Sequence, residues 1–412
     1  MTADKKRQDA FDDDYRFLVR LGSAAHGYGS TAARLEIFLS ALTSKLGYRG
    51  VFRSTPSEVV FAVQEEEEGW QRTHIAALPA PGLELNRLAE VGGLVDEVVA
   101  GRVSISEGTR RLDEIDKVPH PWGNVASAAS YAFAGIGFAM LMSGGWWDVV
   151  FSALFSLGVF GMVASAGRFG ARTAAWLPLS TAFVAGVLAA GTKIVVPEVN
   201  LVLVTLSAIL ILIPGYSISV GVVELVSQHT ASGWANLLSG LVYLAKQFAG
   251  AWLGVSLVAL VASIPQAAAG SPVDSQWLWA AIPLLIVSLC VAFQTSLRDF
   301  VPAALVCAAA YGGIVFGSDL AGSNLGNLLG TVTAVVLANL WAGRTGRPTS
   351  IVLLPAIVLL VSGSIGFRGL AAIAVGDVAA GEQQFLQMFV VALTIAAGLL
   401  VGNTIARPRV TL

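Results

Sequence analysis

Ile211-Leu212-Ile213-Pro214-Gly215-Tyr216-Ser217-Ile218-Ser219, continued by Val220 to Gly233, is the stretch whose reading decides the fold. It is a long apolar run interrupted in its middle by Pro-Gly and hydroxyls, with Glu224 about two turns further on. Such a run can cross a bilayer as a helix. Pro214 removes a backbone donor and Gly215 loosens the turn, so carbonyls and amides are freed at membrane depth. Open backbone is tolerated there only where it lines a cavity or is buried in protein, so the interruption points to a binding role.

A second copy follows. An offset of 148 residues lays Leu359-Leu360-Val361-Ser362-Gly363-Ser364 on Ile211 to Tyr216 without a gap. The same offset pairs Gly221 with Gly369, His229 with Asp377, Ala231 with Ala379 and Gly233 with Gly381. Two interrupted helices at matching places in two halves are the sequence pointer to a secondary transporter with its substrate at the repeat interface.

Composition agrees. Of 412 residues, 55% are hydrophobic and only 13% charged, with mean hydropathy +0.72, where an ordinary soluble domain carries about 25% charged residues. Residues 1–122 hold 15 of the 25 Lys and Arg and 19 of the 27 Asp and Glu. The expected organisation is therefore a small soluble domain over 1–122, then two membrane halves over 123–263 and 264–412. A net charge of −2 gives no argument for nucleic acid. The N-terminus lacks the apolar core of a signal peptide, so the first region is expected in the cytoplasm. Cys290 and Cys307 lie in apolar runs, with no disulfide framework or metal spacing, and nothing calls for a cofactor.

In the first region, Ser30 to Gly47 reads as an amphipathic helix with Ala33, Ile37, Leu39, Leu42 and Leu46 as its stripe. Val51 to Arg53, Glu58 to Val63 and Arg72 to Ala77 read as short strands, the last two separated by the acidic turn Glu65 to Gly69. Leu83 to Ala100 and Ser104 to Val118 read as helices, Ser104 and Glu107 having capping-box spacing. This is a small α/β domain. Gly27-Tyr28-Gly29-Ser30-Thr31-Ala32 has the form of a phosphate-cradling loop, but no strand precedes it and no acid ends a second strand, so a glycine-rich start to a helix is the better reading. His26, His74 and His120 have no nucleophile at readable spacing.

Ten apolar segments follow, each near the length a crossing needs: Val125 to Met142, Val149 to Ala166, Ala174 to Ala190, Leu201 to Val223, Leu237 to Ala262, Trp277 to Phe293, Val301 to Phe316, Leu325 to Ala342, Ile351 to Val375 and Phe385 to Ile405. With the N-terminus inside, the inner loops collect Arg168, Arg172, Arg298, Arg344 and Arg347, and the tail Arg407 and Arg409, as cytoplasmic segments should. Both termini are then cytoplasmic in a multi-pass cell-membrane protein. Five spans per half make the fourth enter from outside and the ninth from inside, so the fold expected is an all-α pair of inverted five-helix repeats. Trp146, Trp147, Trp277 and Trp279 sit at span ends, as an aromatic belt would.

Polar atoms in a bilayer core are costly, so they are the functional candidates. Pro214, Gly215, Ser217 and Ser219 at the first interruption, and Ser362, Gly363 and Ser364 at the second, offer freed backbone and hydroxyls to a polar ligand. Lys246, near mid-membrane in the fifth span, and Arg368 are candidate carboxylate partners. Glu224 and Asp377 are candidate coupling acids. Asn324, Asn327 and Asn339 fit hydrogen bonds between helices better.

Arg34-Leu35-Glu36 followed by Leu46-Gly47, and Arg110 to Asp116 before the first span, resemble the cytoplasmic domain of the threonine/serine exporter family. Ile213-Pro214-Gly215 with Glu224, then Gly346-Arg347-Pro348 leading to Pro355 and Leu360-Val361-Ser362-Gly363-Ser364, resemble the signature runs of its membrane halves. The resemblance covers nearly the whole chain. It implies export of threonine and serine driven by the membrane potential or proton gradient, through a ten-span core behind a cytoplasmic domain. Two positions depart from the pattern: the second Pro-Gly is Ser362-Gly363, and an Arg common just before the acid is Val223. Relatives split over two chains are associated with dicarboxylate export, which is the nearest alternative substrate. The expected partners are thus a small hydrophilic metabolite, protons and the lipid bilayer, with a homo-oligomer left open. The rival class is a membrane-anchored enzyme or sensor acting through residues 1–122, and a passive channel is the third.

Overall fold

Phe11, Tyr15, Leu18, Leu21 and Ala25 recur at helical spacing, and the computed structural model places them on the buried face of a 25-residue helix, α1 (Ala3–Gly27). The structure describes residues 3–65, 71–79, 81–166, 171–360 and 363–408. Helix α2 (Ala32–Lys45) follows, with Leu35, Phe38, Leu39 and Leu42 inward. The expected stripe is thus rotated: Ile37 is exposed, because the i, i+3, i+4, i+7 set starting at Leu35 has the larger apolar area. Strands β1 (Tyr48–Thr55), β2 (Glu58–Glu65) and β3 (Gln71–Ala77) form an antiparallel meander with Phe52 opposite Phe61. Glu66 to Gly69 of the acidic turn lie outside the described residues. Glu36 ties α2 to the sheet, accepting from the Ser54 amide at 2.8 Å and the Arg53 guanidinium at 3.0 Å. Helices α3 (Leu85–Val99) and α4 (Ile105–Ile115) complete this part, the Ser104 hydroxyl accepting from the Glu107 N–H as the capping spacing requires.

The helices beyond it are apolar nearly all round, which suits rods that meet lipid on one side and each other on the other. They are α5 (Gly123–Leu141), α6 (Trp146–Ala166), α7 (Ala171–Val195), α8 (Leu201–Ala208), α9 (Gly215–Val226), α10 (Thr230–Val261), α11 (Leu278–Ala292), α12 (Leu297–Ala321), α13 (Ser323–Thr345), α14 (Ser350–Leu360), α15 (Gly363–Ala374) and α16 (Val378–Ile405). Among the described residues, nine spans are long and apolar enough to cross a membrane, α14 and α15 counted as one. The bent pair α8 and α9 makes a tenth if it is one span. Trp252, Leu257 and Leu260 of α10, and Leu386, Leu393 and Leu400 of α16, face outward.

Element by element, α5 to α10 and α11 to α16 follow the same order, with α9 and α15, and then α10 and α16, starting 148 residues apart. The matched glycines serve matched contacts. A methyl group on Gly221 would sit 2.9 Å from the Gly233 carbonyl oxygen, and one on Gly381 would sit 2.8 Å from that of Gly369. Each pair lets two helices approach to backbone contact, which small residues permit in membranes. Each half also anchors the start of its second helix through a buried acid. Asp148 accepts from the Gly145 amide at 2.9 Å and the Asn200 amide at 2.7 Å, whereas Asp299 holds the Arg347 guanidinium at 2.5 Å.

The N-terminal elements dock on the helices rather than hanging from them. The Leu85 and Asn86 amides, orphan donors of the first turn of α3, donate to the Phe293 and Gln294 carbonyls just past α11, each at 3.0 Å. The Trp122 indole donates to the Thr295 carbonyl at 2.7 Å, and Gly92 lies against Pro348. Leu289, Phe293 and Leu354 join the core built by α1 to α4, so the two parts share one apolar interior.

Candidate functional site

The first interruption begins where α8 stops at Ala208. A short 3-10 turn over Leu210–Leu212 leads to an extended Ile213, and Pro214 then caps α9, the two arms meeting at 64°. The cause is local: Pro214 cannot donate to the preceding turn, and its ring excludes helical geometry at Ile213. One freed carbonyl finds a partner from a neighbouring helix, as the buried Gln247 amide of α10 donates to Leu212 at 3.2 Å. The second interruption separates Leu360 at the end of α14 from Gly363 at the start of α15. The two touch. A methyl group on Gly363 would lie 2.6 Å from Ile213 Cγ2 and 2.8 Å from Gly215 Cα, so only glycine lets the two breaks meet.

Two cavities flank this contact, and both are also walled by the loop between α1 and α2. One, of about 340 Å³, lies against the Ile211 to Ser217 turn, α10 and the His26, Ser30 and Ser54 side chains. The other, of about 200 Å³, lies among α9, α14, α16 and the start of α2. Tyr216 borders both. Into the smaller cavity come Arg34, Ser219 and Glu224. Glu224 is buried; its Oε2 accepts from the Asn236 amide at 2.8 Å, while Oε1 has no hydrogen bond among the described residues. The Ala32 N–H, in the first turn of α2, lies near this carboxylate, and the helix end adds partial positive charge there. The Tyr216 and Ser219 hydroxyls are likewise buried and unpartnered among the described residues. Desolvation by burial lowers the Arg34 pKa, with Tyr216 acting against it, yet a guanidinium so placed remains charged.

The sequence candidates divide. Pro214 and Ser217 line the larger cavity, Ser219 and Glu224 the smaller, and Gly215 and Gly363 form the contact between the breaks. Ser364 lies in the first turn of α15 and borders neither cavity, and Ser362 lies outside the described residues. Lys246 is exposed on α10, since helical spacing turns its neighbour Gln247 inward instead. Arg368 points its Nη1 at Met142 Sδ, 3.8 Å away. Asp377 is exposed and caps α16, accepting from the Ala380 amide at 3.1 Å. Arg34, Tyr216, Asn236 and Gln247 were not singled out from the sequence as site residues. Tyr216 sat inside the quoted stretch, and Asn236 and Gln247 fall on the inward face of α10. Arg34 carried no such signal, being on α2 in the N-terminal region.

The architecture defines a polytopic membrane protein whose two interrupted spans meet beside largely apolar cavities that a few polar side chains enter. The threonine/serine exporter family model matches residues 16–258, and a second, described as "Threonine/Serine exporter, ThrE", matches residues 276–405. The chain belongs to the threonine/serine exporter family. It is 26% identical over 339 residues to a Mycobacterium tuberculosis protein named "Probable threonine/serine exporter", covering 78% of this chain and 63% of that one. An uncharacterized Schizosaccharomyces pombe protein is 22% identical, covering 86% of this chain and 48% of its own length. Pheromone-regulated membrane protein 10 of Candida albicans is 23% identical, covering 86% and 33%. The chain thus spans from a third to under two thirds of the length of these relatives. No solved structure matches.

Proposed function

We propose that the protein is a secondary active exporter of a small hydrophilic metabolite, most simply threonine or serine, driven by proton exchange across the cell membrane. The observation that carries this is the contact of Gly363 with Gly215 and Ile213: two interrupted spans from two halves meet, with cavities on either side. In this reading residues 1–122 form a cytoplasmic domain, and 123–263 and 264–412 form inverted halves that rock about the contact. The inversion draws support from one wall of the smaller cavity. Ser227, at the end of the first broken span, and Ser350, at the start of the second, both line it, as spans running in opposite directions would.

Glu224 is the proposed coupling residue. A buried carboxylate that holds either a proton or a substrate ammonium group, never both, exchanges one for the other across the two access states. Asn236, Ser232, His229 and Tyr216 surround it. Threonine efflux from loaded vesicles, with and without an imposed proton gradient, tests the reading. A gradient should speed efflux about tenfold or more, and Glu224→Gln should remove that acceleration. Efflux indifferent to the gradient sinks the coupling; acceleration retained in the variant sinks Glu224.

A further inference from the structure

We propose that the cavity among α2, α9, α14 and α16 is the binding site for a zwitterionic hydroxy amino acid, with Arg34 of the N-terminal region holding its carboxylate. This rests on the export reading and goes beyond it, because it assigns the decisive cation to a residue outside the membrane helices. It also chooses between an amino acid and a dicarboxylate.

The chemistry comes from what the cavity contains. Its walls are mostly apolar, with Val220, Leu353 and Ile357 among them, so each polar group that reaches it stands out. The charged ones are Arg34 and Glu224, and beside Thr31, Ser227, Ser350 and Asn403 stand two hydroxyls, of Tyr216 and Ser219, that are buried without a partner among the described residues. Arg34 and Glu224 both line the space, yet among the described residues they form no ion pair with each other or with any other side chain. Tyr216 lines the same space and lies within electrostatic reach of both. Separated opposite charges in a desolvated space are costly unless a ligand bridges them. A zwitterion does so, its carboxylate on the guanidinium and its ammonium on Glu224 Oε1. The unpartnered Ser219 and Tyr216 hydroxyls then face the ligand's own hydroxyl. At about 200 Å³ the space lies below the roughly 300–1,000 Å³ of drug-sized pockets, which suits a small amino acid. A dicarboxylate would set its second negative charge against Glu224.

The site is completed only when the N-terminal region is docked. Arg34 sits in the first turn of α2, whose start also bounds the cavity, so undocking would withdraw the cation and open the wall together.

The test uses the full-length protein purified in lipid nanodiscs and titrated with threonine, threoninamide, 2-aminobutyrate and malate. Wild type should prefer threonine over threoninamide, which lacks the carboxylate, by about tenfold or more. Arg34→Gln should reduce threonine to the threoninamide level while leaving threoninamide binding unchanged, which also reports that the variant is folded. Equal losses for both ligands, or none for either, would overturn the assignment. Ser219→Ala keeps Arg34 in place and provides an independent arm. It should erase the preference for threonine over 2-aminobutyrate, and a retained preference counts against the site. Malate binding tighter than threonine would also overturn it. Threonine efflux by Arg34→Gln at the wild-type rate would remove Arg34 and leave the exporter standing, whereas absence of efflux in wild type would remove the export reading itself.

Discussion

The two interrupted spans occupy matching places and do different work. In the first, the arms before and after Ile209 meet at 64°, and Tyr216, beside Pro214 and Gly215, borders two cavities. In the second, the proline has moved into α14 as Pro355, and that helix is buried along almost its whole length. The first break carries Ser219 and Glu224 into a cavity. The second presses Gly363 into the first. The N-terminal region treats the two spans differently as well, leaving space over the first break but packing Gly92 on Pro348 just before α14 and sharing its core with Leu354 within that helix. Repetition here supplies the geometry, and divergence assigns chemistry to one copy and support to the other.

If that division is right, the largest stability losses should come from the supporting half. Arg347→Met would leave the buried Asp299 carboxylate without its cation, at a cost of about 3–5 kcal/mol. The equivalent anchor of the first half, Asp148, is held by backbone amides, so no single side-chain change strips it of both partners. Thermal unfolding of Arg347→Met in lipid measures this, and a loss under about 1 kcal/mol would mean the second half is no framework. Next comes the contact itself. Gly363→Ala drives a methyl group into Ile213 and the Gly215 backbone, for an expected cost of about 1–3 kcal/mol and loss of transport. Gly158→Ala is the control, because nothing lies within 4 Å of its added carbon. Equal behaviour of the two variants would detach function from the meeting of the breaks.

Much of the membrane part was legible because its signals are local. Span length, the Pro-Gly break and the offset that matched Gly221 with Gly369 and Gly233 with Gly381 all sit in the chain as written, and the helices use them directly. Side-chain direction was harder. Lys246 and Gln247 are adjacent, and which one faces inward depends on the rotation of α10 about its axis, set by its packing on α7 and α9. Asp377 looked like a membrane acid, but its distance from Ala380 makes it a cap, a role the sequence also permits. Helix α1 was missed because the charges from Lys5 to Asp14 mask a stripe that becomes plain only from Phe11 onward. Arg34 was out of reach, since its place in a cavity between membrane helices is a tertiary fact about how two parts dock.

The smallest effect expected separates the two breaks by pH. His26 lines the cavity over the first, is buried, and has no hydrogen bond to Nε2 among the described residues. Burial pushes its pKa below the ordinary 6.5, more than the nearby Pro56 and Pro79 backbone can restore. The sign follows. Between the lowered folded value and 6.5 the unfolded chain holds a proton that the folded chain does not, so stability is full above 6.5 and falls as pH drops below it. The fall ends once folded His26 is itself protonated, and its slope is at most about 1.4 kcal/mol per pH unit for one group. The Gly92 and Pro348 contact, just ahead of the second interrupted span, has no titratable atom and contributes nothing to that slope. Thermal unfolding across this range should therefore be steeper in wild type than in His26→Gln, because the variant removes the one proton in question while the carboxylates titrate alike in both. Parallel curves would mean that the space over the first break admits a proton as freely as water does, and that the docked N-terminal region does not seal it.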